Sequence, residues 1–476
     1  MIRRKLTHKK LIRNRSNALA ATRDAGTRRN RYYHEQLCRM LQFYIPAGCS
    51  VLEIGCATGD LLAALQPRTG LGIDIAEKMV ARARKKYPEL LFACMDAECP
   101  GIRMTFDYVV IADIVGFFED IQRTLQVLEP VVTPRTRIIV VFHNFLWQPV
   151  LQLAELLRMK MAWSVRLNWI DTGDLVNLLR LEHFDTVIAG KQILLPVPLS
   201  GIDTAVNTWG AALPGLHRFC LSNIIVARKR PPAPRALSVS VIIPARNEAG
   251  NIEEAVKRVP LMGSHTEIIF VEGHSTDATV RELERVVQTW RDRVDVSYYI
   301  QKGTGKADAV REGFAHAKGE ILMILDADLT VAPEDLPKFY QTIADGKGEF
   351  INGSRLVYPL DKGSMRLLNI FGNKFFSIAF SWILGQPIKD TLCGTKVLHR
   401  DNWDKIQRNR AAFGEFDPFG DFDLIFGAAK LGLKIIEVPI RYHARHYGDT
   451  NISRFRHGLL LFRMLLIGLR RIKFAR

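Results

Sequence analysis

A run of five apolar residues, 321–325, leads directly into Asp326, Ala327 and Asp328, and this junction constrains the fold more than any other part of the chain. A short apolar run of this length is typical of a buried strand. Two carboxylates at the exposed end of such a strand can share one divalent cation, and oxygen ligands of this kind suit Mg²⁺ or Mn²⁺. An aspartate after a strand can equally cap the next helix, which would begin near Pro333. The pattern therefore predicts a strand that ends in a metal site or in a helix cap.

Two more apolar segments, 239–243 and 267–271, precede this strand, and each of them ends in polar residues. Between the second segment and the acidic pair lies the loop 301–305, which contains two glycines and runs into a helical pattern. Its backbone amides and the lysines beside it can approach a phosphate group. The order strand, helix, strand, helix, strand predicts an α/β fold for this half of the chain.

The second half, residues 237–476, resembles the glycosyltransferase family 2 enzymes, especially the dolichol-phosphate and polyprenyl-phosphate sugar transferases. This resemblance implies a Rossmann-like glycosyltransferase A fold and the inverting, metal-dependent transfer of a hexose from a UDP- or GDP-sugar to a polyprenyl phosphate or a related glycolipid. It implies that Asp326 and Asp328 hold Mg²⁺ or Mn²⁺, with Asp328 at the catalytic centre. The residues that it places around the nucleotide sugar are Pro244, Arg246, Glu248, Glu272, Asp277, Lys306, Asp308, Asp326, Arg445 and Arg454.

The chain departs from the family pattern after the apolar segment 267–271. Relatives often carry Asp-Asp-Gly-Ser at this point, whereas this chain has Glu272, Gly273, His274 and Ser275. The segment belongs to the part of the pattern that meets the nucleotide. The identity of the base, uridine or guanosine, therefore stays open.

Asp421 and Asp423 fall where relatives place residues of the acceptor side, as do residues 394–396, and either aspartate is a candidate catalytic carboxylate. A sugar hydroxyl is a poor nucleophile until a base takes its proton. A lipid phosphate, with a second pKa of about 6, is largely ionised at neutral pH and needs no base. With a polyprenyl phosphate acceptor these carboxylates would orient loops or assist the metal. A solvated or helix-capping role is the alternative for each.

The basic, glycine-containing segment 441–454 resembles the family loop that closes over phosphates. Arg445 and Arg454 would make the phosphate contacts, because a guanidinium group can bind phosphate through two hydrogen bonds. A basic surface loop near a membrane is the other interpretation of this segment.

No stretch of the chain has about 20 consecutive apolar residues, so we expect no spanning helix. The segment 367–384 mixes small polar and large apolar residues, and the segment 458–469 is apolar between arginines. Both patterns are typical of helices that lie in a membrane interface. A buried core helix or a dimer contact is the alternative for each. We therefore expect a cytoplasmic enzyme attached peripherally to an anionic membrane surface.

Composition indicates the number of domains and the kind of partner. A chain of 476 residues with 48% hydrophobic residues predicts two domains. Its 66 lysines and arginines against 49 acidic residues give a net charge of +17, which favours anionic partners such as nucleotide phosphates and anionic lipid. Nucleic acid fits the charge as well, but no basic strand interleaved with aromatic residues is present, so we do not expect it as a partner. The seven cysteines lack metal-binding spacing and indicate a reducing compartment.

The first half of the chain is a second α/β unit, separated from the other by the proline-rich linker 230–236. A strand pattern at 51–54 runs into a turn of small residues, and a second strand ends at Asp74 about 20 residues later, a spacing that lets a carboxylate reach ribose hydroxyls. An NAD fingerprint is incomplete, because Ala57 and Asp60 stand where glycines are required.

Residues 32–229 instead resemble the class I S-adenosylmethionine-dependent methyltransferases. The resemblance implies that fold, S-adenosyl-L-methionine as the cofactor, and a methyl transfer in the same glycan pathway as the sugar transfer. The residues that it places around the cofactor are Glu53, Gly55, Ala57, Gly59, Asp74 and Asp96. No catalytic base stands out, although His143 and Asn144 can face the methyl group; a lone histidine at a strand end is more often structural. The methyl acceptor stays open between sugar, lipid, protein and RNA, as does a non-catalytic scaffold role for this half.

Residues 1–31 are rich in lysine and arginine and contain one acid, Asp24. We expect a basic arm, disordered or helical, although such a start also resembles an organelle transit peptide. The predicted organisation is therefore the arm, a methyltransferase-like domain at 32–229, the linker, and a glycosyltransferase domain at 237–476 with membrane-interface helices near its end. The predicted fold class is α/β, with two Rossmann-like domains.

Overall fold

The computed structural model describes residues 8–156, 168, 170–199, 201–231, 236–355, 367–409, 420–443, 447 and 454–474. In the helices that begin at residues 367 and 454, it describes the side chains from residues 374 and 459 onwards. The chain divides into two compact units, Met1–Arg230 together with Phe474–Arg476, and Pro231–Lys473. Most of the linker predicted at 230–236 lies outside the described residues.

The first unit is built on one seven-stranded sheet. Its strands are β1 (Ser50–Ile54), β2 (Thr69–Asp74), β3 (Leu91–Cys94), β4 (Tyr108–Ala112), β5 (Arg137–His143), β6 (Phe184–Gln192) and β7 (Ser222–Lys229). They lie in the order β3-β2-β1-β4-β5-β7-β6. The first five strands of this order pair in parallel, whereas β7 runs antiparallel to both of its neighbours.

Helices cover both faces of this sheet. They are α1 (His8–Leu19), α2 (Arg23–Arg29), α3 (Arg31–Tyr44), α4 (Asp60–Ala64), α5 (Glu77–Lys86), α6 (Ile121–Gln126), α7 (Gln148–Leu156), α8 (Thr172–Leu181) and α9 (Ile202–Ala205). Val51 and Val110 belong to the hydrophobic cluster on one face, and Leu52 and Val109 to the cluster on the other. Because both faces are buried, the central strands are continuous apolar runs rather than alternating ones.

The second unit has its own seven-stranded sheet. Its strands are β8 (Val239–Ala245), β9 (Thr266–Glu272), β10 (Asp295–Ile300), β11 (Ile321–Ile324), β12 (Phe350–Ser354), β13 (Lys396–His399) and β14 (Ile435–Pro439). They lie in the order β10-β9-β8-β11-β13-β12-β14. β8 pairs in parallel with β9 and β11, and β13 is antiparallel to both β11 and β12.

The helices of the second unit follow its strands in the sequence. They are α10 (Ile252–Arg258), α11 (Thr279–Trp290), α12 (Lys306–His316), α13 (Leu336–Ala344), α14 (Leu367–Leu384), α15 (Arg400–Arg408), α16 (Asp421–Lys430) and α17 (Arg454–Gly468). The predicted fold class, two Rossmann-like α/β domains, is confirmed. In such sheets ligands bind beyond the carboxyl ends of the parallel strands. The polar residues that follow β1, β2, β8, β9 and β11 all lie at these ends.

The two apolar segments near the end of the chain form α14 and α17. Among the described residues, none of the helices combines the length and the apolar character needed to cross a membrane. α14 and α17 pack against each other, with the rings of Phe376 and Phe462 5.1 Å apart between centroids. Ile378 of α14 and Leu459 and Leu466 of α17 are exposed. Each helix therefore has a packed side and an exposed apolar side.

Candidate functional site

The second unit gathers charged side chains at the carboxyl end of β11. Asp326 follows this strand, Lys306 is the first residue of α12, and their side chains form an ion pair. Burial alone would raise the pKa of the Asp326 carboxyl, but the ammonium group beside it lowers that pKa below its usual range. Burial would lower the pKa of Lys306, whereas the charges of Asp326 and Asp421 raise it above its usual range. Both members of the pair are therefore charged at neutral pH.

A second ion pair lies beside the first. Nζ of Lys396 is 2.8 Å from Oδ1 of Asp421, and both side chains are buried. Because Asp421 acts electrostatically on Lys306, the two pairs form one charged cluster. A buried pair of this kind depends on both of its charges, since removing one leaves the other uncompensated.

Asp423 does not belong to this charged cluster. Its carboxylate is 3.9 Å from Nη1 of Arg311, and it lines a small separate pocket with Ala307 and Trp403. Side chains two residues apart on a helix point about 200° away from each other. The structure thus separates Asp421 from Asp423, which the sequence analysis treated as alternatives for one role.

The structure adds Arg355, which the sequence analysis did not single out. This residue follows β12 and donates two hydrogen bonds to the carboxylate of Asp390, from Nε at 2.7 Å and from Nη2 at 2.9 Å. Its guanidinium group lies 5.1 Å from the ring centroid of Tyr442, and its charge acts on Asp326. Its position after β12 gives little signal in the sequence, because this strand has only two large apolar residues, Phe350 and Ile351.

Asp328 lies in a tight turn after β11. Its Oδ1 accepts hydrogen bonds from the backbone N–H of Thr330 at 3.1 Å and from the Thr330 hydroxyl at 2.8 Å. The next helical turn, Pro333–Asp335, begins after Ala332, so neither Asp326 nor Asp328 is its cap. In the described part of the chain, no three histidine, cysteine or acidic side chains form a metal-ligand group. Two carboxylates completed by substrate phosphates still fit the coordination that Mg²⁺ takes in nucleotide sites.

The acids predicted to line the nucleotide pocket hold its loops in shape. Glu272 accepts hydrogen bonds from the backbone N–H groups of His274 at 3.0 Å and Ser275 at 2.6 Å. Asp308 accepts one from the backbone N–H of Gly303 at 2.7 Å. These bonds fix the loop that follows β9 and the loop that leads into α12.

Glu248 and Asp277 stabilise the loop after β8 and the start of α11. Glu248 Oε2 accepts a hydrogen bond from the side-chain amide of Asn251 at 2.6 Å. Asp277 Oδ1 accepts one from the backbone N–H of Thr279 at 2.9 Å. Both acids thus contribute to a rigid rim at the same sheet edge.

The remaining residues predicted around the nucleotide sugar are placed as follows. Pro244 lies within β8, and Arg246 packs over Gly273, where a Cβ atom would come within 3.2 Å of the Arg246 side chain. Arg445 lies outside the described residues. Arg454 begins α17, and its side chain also lies outside them.

The first unit has an open cavity of about 360 Å³ at the carboxyl ends of its central strands. Four of the six residues predicted to bind the cofactor line it, namely Gly55, Ala57, Asp74 and Asp96. Asp74 Oδ2 accepts a hydrogen bond from the backbone N–H of Ala57 at 3.0 Å, which ties the turn after β1 to the end of β2. Gly55 and Ala57 have φ values of 77° and 46°, so the backbone turns sharply towards the cavity. A cavity of this volume, with a carboxylate and a glycine turn, fits a nucleoside-containing cofactor.

Glu53 and Gly59 shape the turn after β1 but do not line the cavity. Glu53 is only 4% exposed, and its Oε2 has no hydrogen-bond donor among the described residues. Burial raises the pKa of this carboxyl to about 8. Gly59 has a φ of 81°, and a Cβ atom there would come within 2.6 Å of the Phe92 ring. Both residues therefore act through the backbone of the turn.

The basic arm forms part of the cavity wall. α1 carries Lys9, whose Nζ lies 2.7 Å from Asp96 Oδ2 and 2.8 Å from Glu98 Oε2. Ile12 and Arg23 of the arm also line the cavity. This contact between the arm and the predicted cofactor residues could not be predicted from the sequence, because no local pattern links Lys9 to acids far along the chain.

His143 and Asn144, which were expected to face the methyl group of the cofactor, have different positions. His143 lines the cavity. Asn144 is buried and donates hydrogen bonds to the backbone carbonyls of Arg218 at 2.8 Å and Cys220 at 2.9 Å. Asn144 therefore stabilises a loop, and His143 alone faces the cavity.

The buried Glu53 carboxyl predicts how stability changes with pH. It titrates near pH 8 when folded and at its ordinary value of 4.5 when unfolded, so the folded chain binds the extra proton between these values. The free energy of unfolding of the first unit should therefore fall as pH rises through this window, by up to about 1.4 kcal/mol per pH unit from this group. Glu53→Gln should flatten the profile, measured by urea unfolding at several pH values. Glu129→Gln, at an exposed carboxyl, should not; parallel profiles for Glu53→Gln and the parent chain would contradict the prediction.

Comparison with known proteins gives matches in both halves of the chain. The family model for glycosyl transferase family 2 matches residues 240–411, and a methyltransferase domain model matches residues 51–135. The chain is 30% identical over 233 residues to glycosyltransferase AglJ of Haloferax volcanii, covering 48% of this chain and 71% of that protein. It is 30% identical over 227 residues to dolichol-phosphate mannosyltransferase of Pyrococcus furiosus, covering 46% of this chain and 60% of that protein.

Among solved structures, magnesium protoporphyrin IX methyltransferase from Synechocystis with bound S-adenosylmethionine aligns with a TM-score of 0.34 and 18% identity, covering 48% of this chain and 99% of that one. The resemblances found in the sequence are confirmed by the two family models and by the identity to AglJ. The chain belongs to glycosyltransferase family 2 and carries a methyltransferase domain ahead of its glycosyltransferase domain.

Proposed function

We propose that the second unit transfers a hexose from a UDP- or GDP-sugar to a polyprenyl phosphate or a related glycolipid. The observation that carries this proposal is the cluster of Lys306, Asp326, Lys396 and Asp421 at the carboxyl end of β11. The name of the Pyrococcus furiosus relative, a dolichol-phosphate mannosyltransferase, supports the same acceptor class. The first unit would transfer methyl groups from S-adenosyl-L-methionine in the same glycan pathway.

Lys306 is placed to change partners when the donor binds. It is the first residue of α12, and the N-terminus of a helix favours anions. A pyrophosphate group bound there attracts the ammonium group away from Asp326, which releases that carboxylate for a cation. The chemistry that Mg²⁺ or Mn²⁺ would supply at Asp326 and Asp328 is neutralisation of the charge on the departing nucleotide.

The pair formed by Asp421 and Lys396 favours a phosphate acceptor over a sugar hydroxyl. The buried ammonium group of Lys396 lies 2.8 Å from the carboxylate of Asp421, so this carboxylate already has a charged partner and is held in place by it. An ionised lipid phosphate needs no base. We therefore assign Asp421 a positioning role. Direct attack by a phosphate oxygen, on the face opposite the departing nucleotide, inverts the anomeric carbon.

Removing the charge of either metal carboxylate should abolish sugar transfer while the fold is kept. Asp326→Asn and Asp328→Asn preserve side-chain size, and we expect each to lower transfer by about 100-fold or more, because the pyrophosphate loses its cation. The assay is transfer of labelled hexose from a panel of UDP- and GDP-sugars to polyprenyl phosphate, together with calorimetry of Mn²⁺-dependent nucleotide binding.

The matched control pair for this experiment lies on α16. Asp421→Asn should lose transfer, whereas Asp423→Asn, in the separate pocket beside Arg311, should retain it. Circular dichroism shows whether each variant is folded. Parent-level transfer by Asp326→Asn, or by the parent chain in excess chelator, would refute the metal assignment.

We also propose that the enzyme is cytoplasmic and attaches peripherally to an anionic membrane through α14 and α17. Leu459 and Leu466 of α17 are 74% and 64% exposed, and Arg470 and Arg471 follow directly after this helix. An apolar helix face enters the membrane interface, and each basic residue near an anionic surface contributes about 1 kcal/mol. This arrangement brings the glycosyltransferase to its lipid acceptor.

The exposed leucines of α17 give a direct test of this attachment. A double variant, Leu459→Gln with Leu466→Gln, should reduce flotation with liposomes that contain anionic lipid, because its apolar face is lost. Leu91→Gln with Leu181→Gln is the matched control, since those leucines of the first unit are 59% and 54% exposed. High salt should weaken attachment of the parent only in part, as apolar contact is not screened. Equal flotation of both double variants would show that the exposed leucines of α17 do not attach the protein to the membrane.

Cofactor binding in the first unit should depend on Asp74. Asp74→Ala removes a charged acceptor for ribose hydroxyls and releases the turn at Ala57, so we expect affinity for S-adenosylhomocysteine to fall about 10- to 100-fold. Asp107→Asn, at the opposite end of β4, should bind like the parent chain. Calorimetry measures both. Unchanged affinity in Asp74→Ala, or no binding by the parent, would show that this cavity is not the cofactor site.

A further inference from the structure

We propose that His143 is the general base of methyl transfer, that Asp113 and Tyr33 position it, and that the methyl acceptor is therefore a hydroxyl group, which in the proposed glycan pathway is a sugar hydroxyl. The inference deepens the methyl transfer proposed above and rests on it. From the sequence, His143 and Asn144 were the candidates for this position, and no role was predicted for Asp113 or Tyr33.

The three side chains meet in the cavity of the first unit. The hydroxyl of Tyr33 donates a hydrogen bond to Asp113 Oδ2 at 2.8 Å. His143 Nδ1 lies 3.8 Å from Asp113 Oδ1, and the rings of Tyr33 and His143 stack with centroids 6.0 Å apart and planes 18° apart. Such contacts are often long without substrate and shorten in the complex. Because the residues come from α3, the turn after β4 and the end of β5, the tertiary fold brings them together.

Asp113 has two properties that packing alone does not explain. Its φ is 59°, in the left-handed region, where backbone strain persists only if the surroundings hold it. Its Oδ1 is buried and has no hydrogen-bond donor among the described residues, whereas Oδ2 is bonded to Tyr33. A buried acceptor without a donor is costly. The Nδ1–H of a neutral imidazole at His143 would supply the missing donor, and the carboxylate of Asp113 would then stabilise the imidazolium that forms when Nε2 takes a proton.

The sheet order places this group at the far end of the cofactor site from Asp74. Asp74 ends β2, and the order β2-β1-β4-β5 puts the strand before Asp113 two spacings away and the strand of His143 three spacings away. At about 4.8 Å per spacing these distances are about 10 and 14 Å. A cofactor whose ribose lies on Asp74 would extend past Gly55 and bring its sulfonium end over β4 and β5.

The transfer balances with His143 as the proton acceptor. The acceptor oxygen forms a bond to the methyl carbon while the carbon–sulfur bond breaks, and the sulfur keeps that electron pair and becomes a thioether. The hydroxyl proton passes to Nε2 of His143, the ring nitrogen that does not face Asp113. The carboxylate of Asp113 then stabilises the imidazolium. An acceptor that is already ionised, such as a carboxylate or a phosphate, would need no such base.

The charges around His143 are consistent with this role. Burial raises the pKa of Tyr33 well above its usual range, so its phenol stays protonated and donates to Asp113. Ser222 Oγ lies 3.3 Å from the Tyr33 hydroxyl. The other titratable groups that line the cavity are Lys9, Arg23, His34, Asp74, Asp96 and Glu98.

The deciding measurement is the titration of His143 in the full chain with S-adenosylhomocysteine bound. NMR of ¹³C-labelled histidines monitors this titration. The chain has 12 histidines, and the loss of one signal in His143→Gln identifies the right one. Asp113→Asn should lower its midpoint by about one pH unit or more, because the imidazolium loses a nearby carboxylate. Asparagine tolerates a positive φ as aspartate does, so the turn is kept.

Two further variants keep the test decisive if Asp113→Asn does not fold. Tyr33→Phe removes the hydroxyl that donates to Asp113, which leaves more of the carboxylate's charge to act on His143 and should raise the midpoint of His143 slightly. Asp107→Asn, at the other end of β4, should leave it unchanged. An unchanged midpoint in Asp113→Asn, or in Tyr33→Phe where Asp113→Asn does not fold, overturns the inference. Failure of the parent chain to bind S-adenosylhomocysteine instead overturns the proposed methyl transfer itself.

Methyl transfer to simple probes gives an independent readout. With labelled S-adenosylmethionine, His143→Gln should lose transfer to methyl α-D-mannopyranoside by about 100-fold or more, while its affinity for S-adenosylhomocysteine changes only a few-fold. Transfer by His143→Gln at the parent's rate, or transfer confined to a uronate carboxylate, overturns the inference. Where neither probe is methylated, the NMR midpoint decides.

Discussion

Parallel pairing of strands is the constraint on which both sites depend. Because neighbouring strands run the same way, their carboxyl ends share one edge of each sheet, and the chain must leave every strand there through a turn. Five of these turns contain a non-glycine residue with positive φ, namely Ala57, Asp113, Asn247, His274 and Leu329. Such backbone conformations persist only where many contacts hold them. The side chains with candidate functions therefore stand on backbone that the fold has already made rigid.

Acidic residues at this edge have two physically different roles. Glu272, Asp277 and Asp308 accept hydrogen bonds from neutral backbone N–H groups and so fix the shape of loops. Asp326 and Asp421 instead face the ammonium groups of Lys306 and Lys396, so their charge is matched by side-chain cations rather than by the backbone. The first group explains why the rim of the site is rigid. The second group marks where a charged substrate can replace one partner of an ion pair.

The fold of both halves could be predicted because its signals are local. Apolar runs such as 321–325 mark buried strands, and polar residues directly after them mark the functional edge. The choice between Asp421 and Asp423 could not be made, because both lie in the first turn of α16 and only the packing of that helix decides which one meets Lys396. The roles of the individual site residues stay predictions.

Contacts between residues far apart in the chain could not be predicted from the sequence either. Lys9 and Asp96 are 87 positions apart, and nothing near either residue indicates the other. Arg355 has a partner in Asp390 that comes from a distant loop. Asp113 was visible only as the end of an apolar strand, and its relation to Tyr33 arises when α3 packs beside β4 and β5. Charge pairs of this kind depend on tertiary packing, which no periodicity encodes.

The basic arm extends the methyltransferase domain beyond the residues that carry the resemblance. The methyltransferase resemblance begins near residue 32, yet Lys9, Ile12 and Arg23 form one side of the cavity. A fragment cut to the limits of the resemblance would open that side to solvent and leave Asp96 and Glu98 without their lysine. The same loss would follow if a protease removed the arm as a targeting sequence. The smallest piece of this chain that can be expected to retain all walls of the cavity therefore includes α1 and α2.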